Sequence, residues 1–201
     1  MSDGRPTKSA RKMAREVTVA QLEAELKHER YKRTFAFTLR NTIYMLITVA
    51  AIAVLVAVLL MPVLQIYGTS MDPTLEEGDI VLSVKGSQFK TGDVMAFYYN
   101  NNILIKRVIA QPGDWVDITD DGTVYVNNIA IDEPYLIDKA YGETNIEFPY
   151  QVPESRTFVL GDHRSVSIDS RNTAVGCVAS EQIVGKIIFR VWPLSTFGKI
   201  Q

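Results

Sequence analysis

The chain has 201 residues, a formal net charge of −2 and a single cysteine, Cys177. This charge argues against a nucleic-acid partner, because proteins that bind phosphate backbones normally carry a basic excess. One cysteine excludes an intrachain disulfide and any metal site built from several cysteines. We therefore expect Cys177 to be a small, buried apolar residue.

The N-terminal segment is locally basic. Residues 1–40 hold ten Lys or Arg against five acidic residues. Residues 1–15 are polar without periodicity, which predicts disorder. Thr18 begins a segment with capping-box spacing, and a short helix is predicted over Leu22–Arg33. A lipid-binding or partner-binding amphipathic helix is the alternative interpretation of that segment.

A long uncharged stretch follows, from Asn41 to Met71. It predicts a transmembrane helix over residues 42–64, because about 20 apolar residues are needed to cross the hydrocarbon core. A secretory signal has a shorter apolar core that starts nearer the N-terminus. By the positive-inside rule, residues 1–41 stay in the cytoplasm and residues 65–201 lie outside. Pro62 is expected to bend the last helical turn.

Beyond Thr74 the pattern changes from helical to extended, which predicts that residues 65–201 form a mainly β, antiparallel domain. The clearest hairpin has its turn at Asp120-Asp121-Gly122, where glycine supplies the positive φ that a tight loop needs. Residues 131–153 are predicted to form a loop. The predicted strands are 80–85, 94–99, 103–110, 115–119, 123–127, 157–160 and 183–191.

Ser70 and Lys106 are the candidate catalytic pair. Ser70 follows the uncharged stretch directly, and Lys106 lies in an apolar, strand-like run. A serine hydroxyl is a weak nucleophile until a base takes its proton, and lysine serves as that base only when burial keeps its amine neutral. Strand alternation places Lys106 on one face with Leu104 and Val108. The alternative is an exposed, protonated lysine.

A dense polar cluster occupies residues 161–171, between two apolar strands. Such density in an extended domain suggests the wall of a site. The alternative is a surface loop with an exposed Asp169–Arg171 pair, which would contribute only ~0–1 kcal/mol. His163 in this cluster also offers a rival base, in a Ser70–His163–Asp169 arrangement.

Four ordered segments resemble the sequence boxes of bacterial type I signal peptidases, also called leader peptidases. The segments are 68–75, 78–81, 106–114 and 161–171, and the resemblance extends from residue 42 to about residue 193. Gly68 stands where some members have serine, which resembles the single-span, Gram-positive type. His163 departs from the asparagine that is usual at its position.

The resemblance implies a Ser-Lys dyad in which Ser70 is the nucleophile and Lys106 the general base. It implies that the Ser167 hydroxyl helps to orient the lysine amine, and that the Ser70 backbone N–H holds the oxyanion. The second oxyanion donor is left open, with the Gly68 backbone as a candidate. Asp169, Arg171 and Arg107 are implied to support the site.

The resemblance also implies shallow pockets that accept small side chains, alanine above all, at the first and third residues before the cut. The residues that match these pocket positions are Ile66, Met71, Leu75 and Ile105. No cofactor and no metal ion are implied.

The implied function is a membrane-anchored serine endopeptidase that removes N-terminal signal peptides from secreted preproteins after Ala-X-Ala-like sites. Its location would be the plasma membrane, with a cytoplasmic N-terminus, and its partners would be secretory preproteins and membrane lipid. One alternative is a catalytically inactive, membrane-tethered β-domain that acts as a binding module. Self-cleaving repressors with a related Ser-Lys fold are soluble and carry DNA-binding domains, so the apolar span argues against that class.

Overall fold

The computed structural model describes residues 19–200, without the side chain of Ala20. The disorder expected for residues 1–15 and the capping residue Thr18 lie outside the described residues. The chain divides into two compact units, Met1–Val54 and Leu55–Gln201. The predicted division at residues 41 and 64 stays a prediction.

One long helix, α1, runs from Val19 to Leu60. The two helices predicted at Leu22–Arg33 and within 42–64 are parts of it, because residues 34–41 contain neither glycine nor proline. The helix ends two residues before Pro62, so this proline follows the helix and does not bend it. An 18-residue window of α1 has a mean hydropathy of 2.9, so by length and composition the helix can cross a membrane.

Twelve strands and two short 3₁₀ helices follow α1 in the described chain. The 3₁₀ helices are Ser180–Gln182 and Leu194–Thr196. The strands are β1 Val63–Gln65, β2 Ile80–Val84, β3 Val94–Tyr99, β4 Asn102–Ala110, β5 Trp115–Ile118, β6 Val124–Val126, β7 Ile129–Ala130, β8 Tyr150–Gln151, β9 Arg156–Leu160, β10 Val178–Ala179, β11 Ile183–Trp192 and β12 Gly198–Lys199.

The strands form two antiparallel sheets, which confirms the predicted fold class. The larger sheet has the order β1-β2-β11-β3-β4-β9-β10, with β12 paired to β11, and the smaller has the order β7-β6-β5-β8. The predicted hairpin is β5–β6, with Val116 opposite Val126, and Gly122 in its loop has a φ of +80°. Residues 131–153 are irregular apart from β8, which completes the smaller sheet.

Apolar side chains cover both faces of β3, at the centre of the larger sheet. Val94 and Ala96 pack in one cluster with Ile66, Met71 and Leu75, so this cluster also holds the segment around Ser70. The alternate β3 residues pack in a second cluster, made of Met95, Phe97, Val108, Val159 and Val178. Residues 102–107 of β4 pair with β3, so Lys106 on β4 lies deep in the sheet.

A third cluster joins the ends of β4 and β9 to the smaller sheet. Its members are Ile109, Ala110, Val116, Ile118, Val124, Val152, Phe158, Leu160 and Cys177. Cys177 is buried there as a free cysteine, which matches its expected role as a small apolar residue. This cluster fixes the end of β9, from which the polar segment 161–171 continues.

Candidate active site

The side chains of Ser70 and Lys106 meet although 36 residues separate them. Lys106 Nζ lies 2.7 Å from Ser70 Oγ and donates a second hydrogen bond to the Ile105 carbonyl oxygen at 3.2 Å. The lysine is only 3% exposed, and Met95, its partner across the β3–β4 register, is fully buried. The exposed lysine of the alternative interpretation is therefore not found.

Burial lowers the pKa of Lys106 from its ordinary value of 10.5 to about 8. The carboxylates of Asp169 and Asp162 raise this pKa and the guanidinium of Arg171 lowers it, but loss of hydration has the largest effect. Near pH 8, about half of the lysine side chains carry a neutral amine. A neutral amine has a lone pair that can accept a proton from a neighbouring hydroxyl group.

A rigid turn presents Ser70. The Asp72 N–H donates to the Thr69 carbonyl oxygen at 3.2 Å, and the Leu75 N–H donates to the Met71 carbonyl oxygen at 2.9 Å. The Met71 and Leu75 side chains are buried in the cluster behind the turn. The position of Ser70 is thus fixed by the packing of Met71 and Leu75, its apolar neighbours in sequence.

Two arginines hold the far end of this turn at Thr74. Arg107 donates to the Thr74 hydroxyl at 3.1 Å, and Arg190 on β11 donates to the Thr74 carbonyl oxygen. Arg190 also pairs with buried Asp79, with 3.1 Å between Nε and Oδ2. Sequence reasoning missed Arg190, because an arginine in a strand 120 residues after Ser70 has no local signal of this contact.

Three buried arginine–carboxylate pairs surround the site. They are Arg107–Asp162, Arg164–Glu133 and Arg171–Asp169. All six side chains are at most 1% exposed, so the exposed surface pair considered for Asp169 and Arg171 is wrong. The Glu133 pair was not predicted, since residues 131–153 carry no periodic pattern.

Arg171 organises the segment 161–171 around its guanidinium group. Its Nε and Nη2 donate to the two Asp169 carboxylate oxygens at 2.9 and 2.8 Å. Its Nη1 donates to the Tyr141 carbonyl oxygen at 2.6 Å, and Nη2 also donates to the Arg164 carbonyl oxygen at 2.9 Å. Asp169 in turn accepts the Gly161 N–H at 3.0 Å. These contacts suit the supporting role expected for both residues.

Arg107 supports the other side of the site. It donates to the two Asp162 oxygens at 2.8 and 2.6 Å and to the Gly92 carbonyl oxygen at 2.7 Å. The Tyr135 ring lies 3.8 Å from the Arg107 guanidinium carbon, and the Tyr135 hydroxyl donates to Glu133 at 2.8 Å. Segment 133–135 is thereby tied to β4.

Gly161 allows segment 161–171 to approach Ser70 closely. A Cβ at this position would collide with the Ser167 side chain and with the Ser70 carbonyl oxygen. That carbonyl accepts the His163 N–H at 3.1 Å. The Ser167 hydroxyl is buried and has no hydrogen-bond partner in the described chain. Its expected bond to the lysine amine is not formed here, and its orienting role stays a prediction.

His163 is not arranged as a base. Its Nδ1 lies 3.3 Å from the Thr69 carbonyl oxygen, whereas the Ser70 hydroxyl contacts Lys106. Asp169 is occupied by Arg171 and Gly161. Within residues 19–200 the Ser70–His163–Asp169 arrangement is therefore not assembled.

A cavity opens beside Ser70 and Lys106. Of the four predicted pocket residues, Ile66, Met71 and Ile105 line it, together with Gly68. Leu75 is 0% exposed and does not line it, because it packs in the cluster behind Ile66 and Met71. The other lining residues are Gln65, Tyr67, Ser70, Ile103, Leu104 and Lys106.

Two sets of backbone groups remain free at this cavity. Residues 102–106 of β4 pair with β3 on one side, whereas β9 pairs only with the later part of β4, from Arg107 onward. In the described part of the chain, the N–H groups of Gly68 and Ser70 make no backbone hydrogen bond. The cavity thus offers an open strand edge and unpaired donors next to the serine hydroxyl.

Comparison with known proteins identifies the family. The family model for signal peptidase, peptidase S26, matches residues 39–192. The chain belongs to this family. Like the family, it is a serine endopeptidase, and its function is that of a signal peptidase I.

Relatives of this S26 family member occur in bacteria and in chloroplasts. Signal peptidase IB of Staphylococcus aureus is 38% identical over 157 residues, which covers 66% of this chain and 78% of the relative. Thylakoidal processing peptidase 1 of Arabidopsis thaliana is 38% identical over 144 residues, which covers 63% of this chain but 41% of the longer relative.

A solved structure is also similar. The crystal structure of a signal peptidase I from Enterococcus faecalis V583 matches with a TM-score of 0.44 at 30% sequence identity. The match covers 50% of this chain and 97% of the other.

Proposed function

We propose that this family member is a membrane-anchored enzyme that cuts secretory preproteins after Ala-X-Ala-like sites with Ser70 as nucleophile and Lys106 as general base. The observation that carries the proposal is the 2.7 Å contact between Ser70 Oγ and a lysine amine that is 3% exposed. No cofactor takes part in the proposed reaction.

Acylation begins when the neutral Lys106 amine takes the Ser70 proton. The Ser70 oxygen then attacks the carbonyl carbon of the scissile peptide bond, which forms a tetrahedral intermediate. When this intermediate collapses, the C–N bond breaks and the Lys106 ammonium donates its proton to the departing amine. The signal peptide is left as an ester on Ser70, and the mature protein leaves with a free amino terminus.

Deacylation repeats these steps with water as the nucleophile. The Lys106 amine, neutral again, takes a proton from a water molecule that attacks the ester carbon. Collapse of the second intermediate returns the proton to Ser70 Oγ and releases the signal peptide as a carboxylic acid. One base therefore serves both halves of the reaction, as expected for a single buried amine beside the serine.

Backbone donors stabilise the oxyanion in this proposal. The Ser70 N–H carries no backbone hydrogen bond in the described chain and is the first donor. The Gly68 N–H is the proposed second donor, since the Gly68 φ of +80° is accessible to glycine with little strain. Loss of one oxyanion donor in a serine protease of another family costs about 10²–10³ in rate.

The cavity beside Ser70 supports the proposed substrate specificity. An extended peptide that pairs with the free edge of β4 at residues 102–106 would place alternate side chains on one face. Ile66, Met71 and Ile105 would there contact the first and third residues before the cut. Because these walls are apolar and held by the packed core, small side chains such as alanine fit best.

Cleavage of a purified secretory preprotein tests the proposal. Wild type is expected to release a product whose new N-terminus follows an Ala-X-Ala-like sequence. Ser70→Ala is expected to be inactive because it removes the nucleophile. His163→Ala should keep activity, since its ring does not contact the serine hydroxyl. N-terminal sequencing and matched melting curves provide the readouts. An active Ser70→Ala, or an inactive but folded His163→Ala, would contradict these roles.

In this proposal, helix α1 anchors the enzyme in the membrane, and lipid surrounds the apolar part of the helix. The basic excess in residues 1–40 supports a cytoplasmic N-terminus and a plasma-membrane location. An anchor would suit the reaction, because enzyme and preprotein held in one bilayer meet at a higher effective concentration.

The proposed orientation predicts that protease added outside intact cells digests residues after 64 and spares residues 1–41. Antibodies against each end of the chain identify the surviving fragment, and lysed cells, where both parts should be digested, serve as the control. If the β domain were protected from protease in intact cells, the orientation would be opposite to the one proposed.

A further inference from the structure

A second cavity lies beyond the nucleophile. It is bounded by Asp72 on the nucleophile turn, by segment 137–140 and by segment 162–165. It shares no lining residue with the cavity beside Lys106. The two are neighbours, because Asp72 is two residues after Ser70 and the His163 N–H donates to the Ser70 carbonyl oxygen.

The chemistry at Ser70 needs space for both parts of the substrate. The part before the cut stays on Ser70 as the ester and occupies the cavity lined by Ile66, Met71 and Ile105. The part after the cut must continue past Ser70 on another path. We propose that the second cavity receives the first residues of the mature chain and favours a cationic side chain there. This inference rests on the proposed function.

The charges in the second cavity support a cationic occupant. Asp162 is neutralised by Arg107, but Asp72 and Asp138 have no lysine or arginine partner in the described chain. The Asp72 Oδ1 atom is buried without a hydrogen bond. The cavity therefore holds two carboxylates that form no ion pair with a lysine or arginine among residues 19–200.

The basic side chains next to the second cavity make their contacts outside it. Lys139 donates to the Thr123 hydroxyl at 3.3 Å, and Arg164 pairs with Glu133. The His163 ring lies against the Thr69 carbonyl oxygen. Ile137, which is 73% exposed, and Ala140 offer apolar contact for the aliphatic part of a lysine or arginine side chain. The two carboxylates suit the positive group of such a side chain, and Ile137 and Ala140 suit its aliphatic stem.

Peptides that differ at one position after the cut test the inference. All carry the same Ala-X-Ala sequence before the cut, followed by Lys, Gln or Glu at the first or the second position of the mature chain. We measure kcat/KM with the full chain in non-ionic detergent. At one of the two positions, kcat/KM is expected to be about fivefold higher for the Lys peptide than for the Gln peptide, and lower for the Glu peptide than for the Gln peptide. This size of effect is typical of partly exposed charge pairs.

Three variants locate the preference. Asp72→Asn and Asp138→Asn are expected to bring the Lys-to-Gln ratio close to one. Asp132→Asn, an exposed acid of the same loop that does not line the cavity, is the matched control and should keep the wild-type ratio. High salt should reduce the ratio in wild type, because ion pairs near the surface are screened.

Peptide binding to the Ser70→Ala variant measures the contribution of the second cavity without cleavage of the peptide. The affinity of this variant for uncut, labelled peptides should follow the same order, highest for Lys, then Gln, then Glu. Fluorescence anisotropy measures these affinities. The inference would be overturned if the Lys, Gln and Glu peptides had equal affinities and equal kcat/KM values. It would also be overturned if the preference for Lys survived both Asn substitutions. In either case, cutting after Ala-X-Ala would still support the proposed function. If wild type cuts no peptide after Ala-X-Ala, the proposed function falls and this inference falls with it.

Discussion

Replacement of Lys106 by methionine will lower kcat/KM for a preprotein by at least about 10⁴-fold, because it removes the only base among residues 19–200 that contacts the Ser70 hydroxyl. Methionine matches the apolar stem of lysine and suits the buried site, so the variant should fold. Lys106→Arg should be equally inactive, since a guanidinium stays protonated. Initial rates with matched melting curves provide the measurement.

Lys90→Met is the matched control, because Lys90 is exposed in the same domain and its side chain makes no contact with the site. It should retain wild-type rates. Appreciable turnover by folded Lys106→Met would remove lysine as the base.

The pH profile tests the same residue in the unmodified enzyme. The active form needs a neutral amine, so kcat/KM should rise about tenfold per pH unit below the Lys106 pKa and level off above it. Since burial lowers that pKa to about 8, the rise should be centred near pH 8 and not near 10.5. A rate that stays constant from pH 6 to pH 10 would contradict a lysine base.

Substitution of Asp169 by asparagine will destabilise the β domain by about 3–5 kcal/mol, because it leaves the Arg171 guanidinium buried without its carboxylate. For a domain of this size the melting temperature should fall by about 10–20 °C. Asp120→Asn is the matched control, since Asp120 is exposed and its side chain forms no ion pair with the residues that the structure describes. Thermal and denaturant unfolding of the detergent-solubilised protein provide the measurement.

The double variant Asp169→Asn with Arg171→Met separates the effect of the unpaired charge from that of lost hydrogen bonds. It should recover part of the stability, because neither position 169 nor position 171 then carries an unpaired buried charge. Recovery should be incomplete, since Arg171 also donates to the carbonyl oxygens of Tyr141 and Arg164. A loss below about 1 kcal/mol in the single variant would show that the pair does not hold segment 161–171 together.

Strand positions were predictable because side-chain alternation and turn residues are local properties. The run 94–99 was predicted with the bounds that β3 has, and the hairpin with Gly122 in its loop matches β5–β6. The two-residue strands β7, β8, β10 and β12 were missed, since two residues cannot show alternation. Strand β1 was also missed, because its residues 63 and 64 were predicted to be the end of the transmembrane helix. The merging of two predicted helices into α1 was also missed, although the absence of glycine and proline from residues 34–41 indicated it.

By itself, the sequence determined the apolar segment, the mainly β class and the pair Ser70 and Lys106, because each depends on residue types at short range or on resemblance. Only the tertiary structure decided that the two side chains lie 2.7 Å apart, that Glu133 pairs with Arg164 and that Leu75 is buried behind the cavity. The physical reason is that burial, pKa and ion pairing depend on which distant strands pack together, and no local pattern encodes those partners.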